Sequence, residues 1–212
     1  MERDSRHQCL IYEGPPSHKL PVLAAMIKNK MDEGYRCLYL NSPPMVAGIR
    51  SYLAAMDVNV ASEVAKARLV LSSELTSPGK GFNIDSMLLK LEDALDQALN
   101  DGYKGLWATG DITWEFGPEK DFSKLLEYEL RLDELFQRRP EIQGICQYHR
   151  DSLPAEAMRE SLLAHGKIFI NETLGHINPY YVQSELTSEH KTINHQLDEA
   201  VNALCQTGYL KS

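Results

Sequence analysis

No apolar run in this 212-residue chain approaches the roughly 20 residues that a bilayer-spanning helix needs. The first ten residues, MERDSRHQCL, also lack the apolar stretch of a secretory leader. Together these absences give the expectation of a cytoplasmic protein with no membrane partner. Positive charge is in short supply: 22 Lys and Arg against 30 Asp and Glu leave a net charge of −8, and no basic run occurs. Binding to phosphate backbones needs a positive footprint, so no direct nucleic-acid partner is expected. Cysteine is scarce as well. Cys9, Cys37, Cys146 and Cys205 lie far apart, and the first three fall inside apolar strand-like runs. That pattern fits reduced, buried thiols better than a disulfide framework. Two catalytic signatures are missing: there is no G-x-S-x-G elbow and no close pair of Cys-x-x-Cys units.

What remains is an ordinary globular composition, 43% hydrophobic and 25% charged. Strand-like and helix-like segments alternate. HQCLIY (7–12), RCLYLN (36–41), ARLVLS (67–72), GLWAT (105–109), IQGICQY (142–148) and KIFIN (167–171) read as strands. Helices are expected over 19–34, from Ser42 onward, over 84–102, over 121–139 and over 155–165. The clearest carries Ile84, Leu88, Leu91, Leu95 and Leu99 on one stripe and stops at Gly102. Short, unbroken apolar strands separated by helices predict an α/β fold: a mostly parallel sheet with helices on both faces. Residues 1–182 form one expected domain, and 183–212 a polar, helical tail or connector able to pack, pair with a second copy or lead onward.

The segment IYEGPPSHKLPVL (11–23) has the outline of a phosphate-binding loop: strand, glycine turn, then a helix start carrying Lys19. The working loop reads G-x-x-x-x-G-K-[ST]. Here His18 stands in place of the second glycine, Leu20 in place of the magnesium-binding hydroxyl, and the loop is one residue short. A helix N-terminus still attracts anions, but Glu13 places negative charge at the mouth. The expected state is a decayed loop, with plain strand-to-helix turn as the blander reading.

Ligands of open parallel sheets bind beyond the carboxyl ends of the strands. The residues there are Tyr12, Glu13 and Gly14, Asn41 and Ser42, Ser72 and Ser73, Gly110 and Asp111 with Trp114 and Glu115, and Tyr148, His149 and Arg150. Asp111 reads either as a ligand-bonding carboxylate or as turn chemistry after Gly110. His7-x-Cys9 and Cys146-x-x-His149 contain soft metal ligands at weak spacing, and no metal or other cofactor is expected. His165 reads as a helix-end histidine, and Trp107 as core. Glu127 is expected in solvent; Glu129 sits oddly close to the Leu125–Leu132 stripe.

The ordered set HQCLIYEG, GYRCLYLN, GLWATGDITW, LLEYELRLDELF, GICQYHRDSLP and NPYY resembles the MEDS domain, the methanogen/methylotroph sensory domain found also in the dichloromethane-responsive regulator DcmR. The resemblance covers roughly residues 5–182. It implies a RecA/KaiC-like three-layer sandwich whose phosphate loop has decayed. KaiC-like ATPases carry glutamates after the second strand, where this chain has Asn41-Ser42-Pro43. The resemblance also implies a non-catalytic sensor of a small organic ligand, such as a hydrocarbon derivative, with a signalling or regulatory protein, or a second copy as a homodimer, as partner. The ligand-binding residues it implies are Tyr12, Glu13, His18, Asp111, Trp114, Tyr148 and Arg150, to which the loop outline adds Lys19. His149 departs from the acid often found at that position. The rival expectation is a nucleotide binder or weak ATPase that uses Lys19, Asp111 and Glu115.

Overall fold

The computed structural model describes residues 6–73, 82–115, 122–170 and 174–177. Seven strands form one sheet: β1 (His7–Tyr12), β2 (Arg36–Leu40), β3 (Leu69–Ser72), β4 (Leu106–Asp111), β5 (Ile142–His149), β6 (Lys167–Ile170) and β7 (Leu174–Ile177). Their order is β3-β2-β4-β5-β1-β6-β7. The first six run parallel, and β7 pairs antiparallel with β6 at the edge. This is the α/β, mostly parallel architecture expected from the strand–helix alternation. The antiparallel β7 was not anticipated. The proposed tail, 183–212, and Cys205 lie outside the described residues.

The helices are α1 (Leu20–Asp32), α2 (Pro43–Ala55), α3 (Val60–Ala65), α4 (Ile84–Asn100), α5 (Ile112–Glu115), α6 (Leu125–Arg138) and α7 (Ala155–Ala164). Two cores separate them. On one face of the sheet, Leu10, Tyr39, Trp107 and Ile145 pack against Leu23, Ile27, Ile49 and Leu53 of α1 and α2 and Val60 of α3. On the other face, Cys9, Ile11, Cys146 and Tyr148 pack against Leu91 and Leu95 of α4, Leu132 and Phe136 of α6, and Leu162 of α7. Alternate residues of each strand therefore serve opposite layers. Cys9, Cys37 and Cys146 are buried free thiols. No helix among the described residues is long and apolar enough to cross a membrane.

The helix stops are chemical. Gly34 and Gly102 take positive φ, 96° and 84°, just beyond α1 and α4. Their amides, and those that follow, return to the last helical carbonyls: Gly34 to Met31 at 2.8 Å and Tyr103 to Ala98 at 3.0 Å. Helix α3 was not expected from the sequence. It is one short turn longer than a cap, started by the Asn59 side chain accepting from the Ser62 amide at 3.1 Å.

Two glycines permit close approach. A Cβ on Gly144 would lie 2.8 Å from the Ala108 carbonyl oxygen and 3.0–3.1 Å from the Phe136 ring, so α6 sits directly on β5. A Cβ on Gly105 would lie 1.9 Å from the Glu141 carbonyl oxygen, where β4 enters the sheet. Backbone cannot yield there as a flexible side chain would. Gly105→Ala is expected to destabilise the protein by about 3 kcal/mol, the upper end of overpacking. Gly102→Ala, strained only by its φ, should lose about 1 kcal/mol. Urea unfolding of the two variants checks the order.

Candidate functional site

The sheet order places β5 between β1 and β4, so Tyr12 and Asp111 end on either side of it. After β1 the chain makes a 3₁₀ turn, Pro16–Lys19, before α1 begins. That tight turn, started by two prolines, carries Lys19 inward instead of around a phosphate. Lys19 is fully buried. Its ammonium lies 2.6 Å from Asp111 Oδ2 and 3.7 Å from the centre of the Tyr12 ring. The Tyr12 hydroxyl donates to the same Asp111 oxygen at 2.8 Å, and the Thr113 amide donates to Oδ1 at 3.0 Å. Burial pulls the Lys19 ammonium below its ordinary pKa, and the Asp111 carboxylate opposes this without cancelling it. Burial, with Asp111 beside it, pushes the Tyr12 phenol well up. The cation and the carboxylate that a nucleotide site would turn toward phosphate and magnesium are turned toward each other.

Beside this buried group lie the loops after β1 and β5. His149 stacks on Tyr12, ring centres 4.8 Å apart, and its Nε2 lies 2.9 Å from the Gly14 carbonyl oxygen. The Gly14 amide donates to Asp151 at 2.8 Å. Arg150 and Glu13 form an ion pair across the same two loops. Deeper, Gln147 donates to Thr109 Oγ1 at 2.7 Å, and Thr109 donates to the Ile145 carbonyl at 2.7 Å.

The structure thus brings Tyr12, Lys19 and Asp111 into direct contact and sets Glu13 and Arg150 at their rim. His18 is exposed in the turn and points to no partner in this group. Trp114 lies in α5, and its side chain is outside the described residues. Tyr148 faces the opposite layer. Strand periodicity explains the split: within β5, Gln147 and His149 share the face of Tyr12's crevice, and Tyr148 alternates away from them. The sequence contained that signal, and reading Tyr148 and Arg150 together at the strand end passed over it.

On Tyr148's side lies a second polar centre, enclosed by β1, β5, α6 and the α7–β6 junction. Glu129 is fully buried. Its Oε1 accepts the Tyr148 hydroxyl, while Oε2 lies 3.3 Å from His7 Nε2, 3.5 Å from His165 Nε2 and 3.7 Å from Cys146 Sγ. His7 Nδ1 lies 3.3 Å from Asp133 Oδ1. Asp133 in turn accepts from Gln137 at 2.7 Å. Burial alone would lower the His7 pKa, but its bonds to Asp133 and Glu129 win and raise it to about 9. Burial and the positive charge of His7 hold His165 down at about 4. Glu129 stays below its ordinary range: the neighbouring histidines and the Tyr148 hydroxyl outweigh its burial.

This centre adds to two readings. His165 does cap the end of α7, and it is also buried against His7, ring centres 4.0 Å apart. Glu129, odd in sequence, is buried, whereas Glu127 is exposed as expected. Of the soft-ligand pairs, His7 and Cys146 meet across the sheet at 3.7 Å, while His149 departs to the crevice.

A search of the curated proteins found no match for this chain. A family model does match: the methanogen/methylotroph, DcmR sensory domain, over residues 6–166. That span includes every side chain of both buried centres. The chain therefore belongs to the MEDS family of sensory domains.

Proposed function

We propose that this chain is the ligand-responsive module of a cytoplasmic signalling or transcriptional pathway. A small organic molecule, such as a hydrocarbon derivative, binds without being transformed in the crevice beyond β1, β4 and β5. Tyr12, Lys19, Asp111 and His149 line its floor, and Glu13 and Arg150 form its gate. Family membership supports the sensory role. The observation that carries the rest is the buried Lys19–Asp111 pair, held at 2.6 Å. A triphosphate with magnesium would have to break that pair, and the Leu20 side chain offers the metal no hydroxyl in return. The stacked Tyr12 and His149 rings and the hydrogen-bonding groups beside them suit a small, weakly charged ligand. Output passes to a partner protein or a second copy. It requires that the ligand bind one conformation better than another.

Thermal melting of the whole chain against ATP with Mg²⁺ and a panel of one-carbon and short-chain organic compounds tests this reading. Ligand at 100 times its Kd stabilises the native state by about 2.7 kcal/mol. For a protein of this size that raises Tm by about 5–10 °C. The expected result is a rise with at least one organic compound and none with ATP. A rise with ATP and Mg²⁺ that disappears in Lys19→Ala would replace the sensor reading with a nucleotide-binding one.

A further inference from the structure

The crevice accounts for the α1 side of the sheet and leaves the second buried centre without a task. We propose that His7, Glu129, Cys146 and His165 form a closed structural site for a zinc-class divalent metal ion, bound through His7 Nε2, Glu129 Oε2, Cys146 Sγ and His165 Nε2.

The geometry is that of a tetrahedral ligand set. One ligand atom from each of the four residues lies within 4.8 Å of every other. The individual separations include 3.3 Å from Glu129 to His7, 3.5 Å from Glu129 to His165, and 3.7 Å from Cys146 to both Glu129 and His7. Metal–nitrogen and metal–oxygen bonds near 2.0–2.2 Å, with metal–sulfur near 2.3 Å, place tetrahedral ligands about 3.3–3.6 Å apart. Small inward movements of the outer atoms would complete the site.

The supporting contacts point the same way. A ligating histidine commonly donates its other ring nitrogen to a carboxylate or backbone carbonyl, which fixes the tautomer and aims the lone pair at the metal. Both histidines have such a partner. Nδ1 of His7 faces Asp133 at 3.3 Å, and Nδ1 of His165 faces the Ser161 carbonyl at 2.5 Å. In each ring the remaining nitrogen, Nε2, is the one turned toward Glu129. The Tyr148 hydroxyl holds the carboxylate by Oε1 and leaves Oε2 toward the cluster.

Charge and softness select the ion class. A thiolate and a carboxylate together neutralise a divalent cation, which matters where the ligands are all buried. One sulfur, two imidazoles and one carboxylate suit zinc and exclude the hard oxygen-seeking magnesium and calcium. Four protein ligands with no side open to solvent describe a structural site, not a catalytic one. The four come from β1, β5, α6 and the end of α7, so an ion here would join strand and helix layers that are otherwise held by packing.

The test uses the untagged full chain. Elemental analysis of protein grown with zinc should give about one zinc per chain, and exchange for cobalt should give tetrahedral visible bands with a thiolate charge-transfer band. Cys146→Ser should remove the charge-transfer band, while Cys37→Ser, a buried thiol of the opposite layer, should retain it. X-ray absorption of the zinc-loaded wild type provides a measurement independent of variant folding. One sulfur near 2.3 Å and three lighter ligands near 2.0–2.2 Å are expected. Metal well below one equivalent after reconstitution would overturn the site, as would a charge-transfer band that persists in Cys146→Ser. A shell of oxygens and nitrogens alone would do the same.

Discussion

Asp111→Ala will destabilise the protein by about 3–5 kcal/mol, the usual result of leaving a buried charge without its partner. Lys19 is fully enclosed, and Asp111 is its ion-pair partner at 2.6 Å. The same substitution deprives the Tyr12 hydroxyl and the Thr113 amide of their acceptors. At this size, such a loss lowers Tm by roughly 6–20 °C. The interpretation rests on a second variant. Replacing both partners with apolar groups of similar volume removes the uncompensated charge, and such exchanges are often neutral. Lys19→Met with Asp111→Leu should therefore recover most of the lost stability. Urea unfolding of wild type, single and double variants measures both quantities. A single variant within about 1 kcal/mol of wild type would show that water already reaches Lys19, and that the crevice floor is open instead of sealed.

Glu129→Ala should be of similar severity, about 3–5 kcal/mol, measured with a chelator present so that only the protein's own contacts count. Glu129 is the negative charge among two histidines, a thiol and a phenol. Without it, the His7 charge keeps Asp133 alone, and the Tyr148 hydroxyl is buried with its acceptor gone. Glu129→Gln separates the two effects. The amide oxygen still accepts from Tyr148, so the neutral variant should retain about 1 kcal/mol or more of what alanine loses. Equal losses for alanine and glutamine would assign the whole effect to charge. A negligible loss for alanine would mean that the cluster rearranges around the gap.

Much of this fold was readable along the chain, and the reasons are local. The stripe of α4 repeats with helical period, and Gly34 and Gly102 stop α1 and α4 where the sequence placed stops. Each parallel strand is a short apolar run because both its faces are buried. Helix α3 escaped notice because six residues offer less than two turns of periodicity. Parts of the site were legible too: Tyr12 and Asp111 stand at strand ends, Lys19 at the helix start of the loop outline, and the three meet. The inward turn of Lys19 was not, because a lysine at a helix start reads as a charge offered to an anion until the strand order supplies Asp111. Membership of the second centre was hidden by distance. His7 and Cys146 stand 139 positions apart, and only the adjacency of β1 and β5 joins them. Glu129 alone gave a local warning, as an acid on an apolar helical face; Asp133, one turn on, repeats it.

The pleat of β5 has a consequence for communication through the sheet. Cys146 and Tyr148 face the layer of α6, whereas Gln147 and His149 face the crevice. Four successive residues thus face alternately the two layers of the fold. A ligand that tightened this segment from one side would act on the same backbone that carries the residues of the other side. Any coupling between occupants of the two proposed sites is reciprocal: the factor by which one alters the affinity for the other equals the factor in the other direction. β5 is the partition that the two proposed sites share.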